Sequence, residues 1–346
     1  MSWWKRIPPQ VSIALKIAFA AGVLILMWRS GKLQPQVVVA AAARWPELLL
    51  VGVMIFTVIM ICGFRWSLLL RGHGISLGWR QTASLTMIGV LFSAVIPGAV
   101  SGDLVKGYYV AREVDEKRTL ALATILMDRL LGLSSLATVA SIGVIWNHEL
   151  VLANRTLTVL SVMALGGCGV GFIGLLAAVF ASSFVLRLTH QLPAHLPGRS
   201  VIIRMAEVLA SYRGQVPRLL GAFILSFPVH LLGCGCMLLC LHAVGESRAM
   251  PASLVLFAFP LGMLAVAVPI TPVGIGVGQA AFYAVCNMAV PGSGSAGANA
   301  FTVYQAVQLP VFLLGLIPYL SYRKVAPPPE IASDATSTAS IEAPRC

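Results

Sequence analysis

From Leu48 to Phe64 the chain reads "LLLVGVMIFTVIMICGF", without one charged side chain. An apolar run of about 20 residues is the length of a helix that crosses the hydrocarbon of a bilayer. Runs near that length recur at 11–28, 46–64, 120–146, 156–181, 218–243 and 299–321. Hydrocarbon leaves backbone polar groups no outside partner, so runs of this length predict spanning helices. The chain is 58% hydrophobic and only 10% charged, with mean hydropathy +0.89, which excludes an ordinary soluble domain. The expected class is an all-α polytopic membrane protein with six spanning helices.

Residues 1–30 have the outline of a secretory signal, with Lys5 and Arg6 ahead of an apolar run. Lys16 interrupts that run and it continues to Trp28, so an uncleaved first span is expected. The net charge of +12 comes from basic residues scattered singly between apolar spans. This pattern points to anionic lipid headgroups as partners and away from nucleic acid.

Two apolar segments do not fit a simple crossing. Residues 82–112 and 252–290 are broken in the middle, at "VIPGAVSGD" and "VPITPVGIGVG". If both are re-entrant hairpins and the N-terminus is cytoplasmic, the lysines and arginines fall overwhelmingly on the cytoplasmic side. The order of elements then repeats with opposite starting direction. One membrane repeat covers 1–146 with hairpin 82–112, and a second covers 147–323 with hairpin 252–290. Such inverted-topology repeats bring their broken helices together near the bilayer midplane, around a substrate site. The rest, 324–346, is rich in Pro, Ser, Thr and Ala and is expected to be a disordered cytoplasmic tail.

Intramembrane ionisable residues and broken backbone supply the candidate site. Asp103 and Lys106 lie three apart on the helix leaving the first break and share a face, where they can pair with each other. In one reading Gly98, Gly102 and exposed amides hold a phosphate-bearing headgroup that Lys106 neutralises. In the other, Asp103 caps the helix and Lys106 snorkels to the interface. Asp128 and Arg129 are adjacent, so they diverge by about 100° and each needs its own partner. Arg129 either meets a lipid phosphate or pairs with Asp103 or Asp128 of a neighbouring element. The second break offers Thr271, Gly274, Gly276 and Gln279, either as neutral hydrogen-bonding groups for headgroup oxygens or as close-packing positions.

His230 suits either a proton relay or one interhelical hydrogen bond. Six cysteines lie in apolar stretches and are read as packing residues, with no metal expected. Residues 199–213 place Ile202, Met205, Leu209 and Tyr212 on one stripe, as in an interfacial amphipathic helix. No nucleophile elbow, phosphate-binding loop or metal-ligand spacing occurs, so neither catalytic residues nor a cofactor is expected.

The stretches "LFSAVIPGAVSGDLVKGYYVARE", "LATILMDRLLGL" and "VPITPVGIGVGQAAF", in that order, resemble the flippase-like membrane domain family, also called the lysylphosphatidylglycerol synthase transmembrane region family. The resemblance covers roughly residues 10–323. It implies lipid transfer, or a membrane component of lipid or glycan modification. Two positions depart from the family pattern: Gln279 stands where typical members carry a glutamate, and Val273 where they often carry a glycine. Bifunctional relatives add a soluble aminoacyltransferase domain, so synthesis of aminoacylated lipid is not expected of this chain. Three functions remain open: a lipid translocase, a membrane subunit that scaffolds a lipid or glycan transferase, and an embedded enzyme using Asp103 and Asp128.

Overall fold

The computed structural model describes residues 21–22, 25–26, 28–29, 34–95, 101–114, 117–191, 199–246, 250–267 and 271–325. Every regular element among them is a helix. Among the described residues five helical stretches are long and apolar enough to cross a membrane: Pro35–Gly72, Arg118–Trp146, Arg155–Ser182, Ala206–Ala243 and Gly294–Tyr322. They contain the five later spans expected from the sequence, while the span at 11–28 lies almost wholly outside the described residues, as does most of the tail.

The helices that build the site are α1 (Trp45–Gly72), α2 (Trp79–Val95), α3 (Ser101–Glu113) and α4 (Arg118–Trp146). There follow α5 (Arg155–Cys168), a π-helical turn at Gly169–Ile173 and α6 (Gly174–Gln191). Then come α7 (Arg199–Ser211), α8 (Val216–Ile224), α9 (Ser226–Ala243), α10 (Ala252–Val266), α11 (Val277–Ala289), α12 (Gly294–Leu313) and α13 (Leu316–Val325). Helix α7 falls on the stretch read as amphipathic, and Leu209 and Tyr212 at its end pack with Leu69, Met127 and Leu131.

Each broken segment is a pair of short helices in contact, α2 with α3 and α10 with α11. At 1.5 Å per residue, α10 and α11 reach only about 20–23 Å, short of a bilayer's roughly 30 Å core. The two halves of the chain interleave. Helix α1 packs on α9, and α4 packs on α10. Gly143 of α4 makes the latter contact close, since a Cβ there would lie 2.7 Å from the Phe257 Cα.

Membrane helices gain little from the hydrophobic effect against each other, so small residues that admit a bulky neighbour do the fastening. Gly262 receives the Phe282 ring and Gly278 the Phe301 ring, and those two rings stack with centroids 4.3 Å apart. These contacts bind α10, α11 and α12 into the main core, which also buries Cys234, Cys236, Cys240 and Cys286.

Candidate functional site

Thr124, Asp128, Leu131 and Ser135 recur along α4 at helical spacing and form one buried face. That face meets α1. Arg65 Nε donates to Asp128 Oδ1 at 2.7 Å, and its Nη1 donates to Ser226 Oγ at 2.7 Å. Gly132 leaves room for the guanidinium, since a Cβ there would stand 3.4 Å from Nη1. Arg129, a turn of about 100° away, faces α3 instead and donates to Asp103 Oδ2 at 2.7 Å. The two neighbours thus serve two different helices, as their divergence requires.

Arg65 was not among the sequence candidates. The apolar run that the sequence presents stops at Phe64, one residue before it. In the structure α1 continues to Gly72, and Arg65 is 5% exposed inside it. The signal was present in "RWSLLLR", where helical spacing carries the apolar face on to Leu70.

Lys106 is also 5% exposed. Its ammonium stands 3.7 Å from the centroid of the Trp66 ring. The indole is held for this contact by its edge, with Nε1 donating to Thr124 Oγ1 at 2.9 Å. Asp128 and Asp103 are near enough to act on Lys106 through space, but among the described residues no carboxylate lies within ion-pair distance of it. The expected alternatives of an Asp103–Lys106 pair and of a lysine snorkelling to the interface are both replaced by this stacked, buried position. The cluster holds three cations, Arg65, Lys106 and Arg129, against two carboxylates, Asp103 and Asp128, so it carries an excess positive charge.

Gly102 lies where α3 crosses α2, with its missing side chain facing the Gly89 carbonyl and Ser93 Oγ. Its visible role is close packing. Gly98 lies outside the described residues.

The second break is a knot of left-handed backbone. Val273, Gly274 and Gly276 have φ of 50°, 73° and 83°. Such angles suit glycine and are rare for a β-branched residue. A chain of buried amides holds the turn. Gly276 N–H donates to Gln279 Oε1 at 2.7 Å, Gln279 Nε2 to Gln305 Oε1 at 2.7 Å, and Gln305 Nε2 to the Val273 carbonyl at 2.8 Å. Gln279 therefore secures its own loop. Thr271 is 4% exposed, and its Oγ1 has no hydrogen-bond partner among the described residues.

His230 hydrogen-bonds with Ser135 Oγ at 2.9 Å and the Gly132 carbonyl at 3.2 Å, an interhelical contact. Among the described residues no group of His, Cys, Asp and Glu is arranged to hold a metal ion. An apolar crevice of about 800 Å³ runs between α4, α5, α10 and α11, lined by residues such as Leu133, Ala137, Met163, Leu264 and Met288.

The described residues thus offer two separate features, the cluster of Arg65, Lys106 and Arg129 with Asp103 and Asp128, and the apolar crevice. No curated protein and no solved structure matches the chain. The family model for the lysylphosphatidylglycerol synthase TM region matches residues 13–315, nearly the whole chain, and the protein belongs to that family.

Proposed function

We propose that this protein is a lipid translocase that moves an anionic or polyprenyl-linked lipid headgroup across the inner membrane, without catalysing a covalent step. The observation that carries the reading is Lys106, a buried cation stacked on Trp66, while the other two cations of the cluster each hold a carboxylate. A buried unpaired charge is costly and is kept where it meets a ligand or a conformational change. A lipid phosphate supplies the missing negative charge. The crevice between α4, α5, α10 and α11 accepts apolar tails, and the family's association with lipid metabolism or transport points the same way.

In this reading the chain has six spans, two re-entrant hairpins in an inverted repeat and both termini in the cytoplasm. The short helices either side of the second break and the bias of lysine and arginine support that arrangement. The test is purified protein in liposomes with labelled phosphatidylglycerol, a zwitterionic phospholipid and a polyprenyl phosphate. Movement of an anionic lipid that falls in Lys106→Gln and is partly kept in Lys106→Arg supports the reading. Wild-type protein that moves none of these lipids and co-purifies with a lipid or glycan transferase replaces it with the scaffold reading.

A further inference from the structure

The two ion pairs of the basic cluster have the same 2.7 Å length and differ in burial. The side chains of Arg65 and Asp128 are 7% and 12% exposed, and Arg65 is held a second time by Ser226. Those of Arg129 and Asp103 are 31% and 35% exposed. Parting the first pair strands two buried charges, which is costly. Parting the second frees a carboxylate that is accessible enough to be solvated, and ion pairs so placed are weak. The second contact joins Nη1 to Oδ2 and is not the two-bond fork in which arginine holds a carboxylate most firmly. One pair is fixed and the other is exchangeable.

Two cations bear on the exchangeable carboxylate. Arg129 donates to Asp103, and Lys106, one turn further along α3, acts on it through space. Lys106 itself is buried with no carboxylate within ion-pair distance among the described residues. Asp103 therefore stands where an anionic oxygen is received by a guanidinium within the field of an ammonium. A phosphate oxygen meets arginine with the same charge-assisted geometry, so a phosphate fits that place. Unlike Asp103, it is not tethered to the backbone of α3 and is free to approach Lys106 as well. Charge sets the class of headgroup. Three cations against two carboxylates leave one positive charge over, and a phosphodiester lipid of net charge −1 cancels it. A zwitterionic phospholipid brings no net charge and leaves the excess in place.

We infer that Asp103 is an internal counter-anion, which occupies Arg129 until the phosphodiester of a monoanionic lipid displaces it and bridges Arg129 and Lys106. The inference rests on the translocase reading, and adds to it the class of headgroup and the pair that opens. Asp128 stays on Arg65 throughout. The return of Asp103 to Arg129 competes with the bound phosphate, so the site receives a headgroup without retaining it.

The experiment is equilibrium binding to purified protein in mixed detergent micelles. The ligands are phosphatidylglycerol, phosphatidylcholine, and glycerophosphoglycerol as the same headgroup without tails. Removing the competitor is expected to tighten phosphatidylglycerol binding about three- to tenfold in Asp103→Asn, while Arg129→Gln weakens it about tenfold or more. A carboxylate that merely braced Arg129 gives the opposite sign, with weaker binding in Asp103→Asn. Asp103→Ser serves as a second variant should Asp103→Asn fail to fold, and is likewise expected to bind more tightly. Unchanged or weaker binding of phosphatidylglycerol by the folded Asp103 variants overturns the inference and leaves the translocase reading standing. Wild-type protein that binds phosphatidylglycerol no better than phosphatidylcholine overturns the inference whether or not lipid movement is seen in liposomes. Glycerophosphoglycerol bound as tightly as the lipid, and more tightly in Asp103→Asn, keeps the exchange and refutes the translocase reading.

Discussion

Asp128 and Lys106 are both buried in the first half of the chain, yet they differ in kind: Asp128 is locked to Arg65 at 2.7 Å, whereas Lys106 stacks on the face of Trp66 with no carboxylate in ion-pair distance among the described residues. Removing either side chain should therefore move stability in opposite directions. Asp128→Ala leaves the Arg65 guanidinium buried and uncompensated, a loss of about 3–5 kcal/mol. Replacing both partners, as Arg65→Met with Asp128→Leu, should recover much of that loss. Lys106→Met removes a charge that had no carboxylate partner, and its thermal midpoint in detergent should equal or exceed wild type while anionic lipid movement is lost. A Lys106→Met protein that unfolds as readily as Asp128→Ala would show the lysine to be structural.

Gly102 should tolerate nothing larger than hydrogen. A methyl group there would overlap the Gly89 carbonyl and Ser93 Oγ, so Gly102→Ala should lower stability by about 1–3 kcal/mol through forced separation of α2 and α3. Gly221 in α8 is the control, since nothing lies within 4 Å of its missing Cβ. There alanine should be neutral or gain roughly 0.5–1 kcal/mol of helix preference. Thermal unfolding in one detergent, read for both variants, checks the contrast.

Gln279 tests the amide chain of the second break. Gln279→Ala removes an acceptor from Gly276 N–H and a donor from Gln305, each a buried group whose loss of partner costs about 1–3 kcal/mol. Gln305→Ala should be comparably harmful, and the double variant should be much less than additive because the two side chains act as one brace. Gln279→Glu keeps the bond to Gly276 but turns a carboxylate oxygen toward Gln305 Oε1, so it too should lower the midpoint. Additive losses would mean the two amides work independently.

His73 gives a dependence on pH. It follows the end of α1, its ring meets the Tyr212 ring edge-on at 4.5 Å, and its Nε2 is buried without a hydrogen-bond partner among the described residues. Burial first, then the Lys117 and Arg218 cations, hold its pKa below the ordinary histidine value. Between the depressed folded pKa and the unfolded one, the unfolded chain binds more protons, so stability rises with pH through that window. Acidification from pH 7 to below 6 should lower the midpoint, and His73→Gln should flatten the slope. An unchanged slope in that variant would place the acid sensitivity elsewhere.

The length and polarity of the apolar runs made the five later spans readable, because hydrocarbon thickness sets helix length directly. The divergence of Asp128 and Arg129 was readable too, since it follows from 100° per residue, and Asp103 could be named as a partner for Arg129. Arg65 was not recovered as the partner of Asp128. The two are joined only through the packing of α1 on α4, and a local apolar pattern does not report which helix lies beside which. The same blindness affects Lys106, whose spacing from Asp103 suggested a pair that the approach of Trp66 and Arg129 replaces. Gly102 was read, with Gly98 and exposed amides, as holding a headgroup, and in the structure its open side faces the Gly89 carbonyl and Ser93 Oγ of α2.

The crevice between α4, α5, α10 and α11 has a thermodynamic corollary. Its walls are leucine, methionine and alanine, chemically close to the interior of a bilayer. A hydrocarbon tail exchanged between the two media changes its surroundings little, so its transfer free energy is near zero in either sense. Such a groove can guide a tail but cannot give it a direction. In the lipid-transport reading, any vectorial bias has to originate in what acts on the polar end of the molecule.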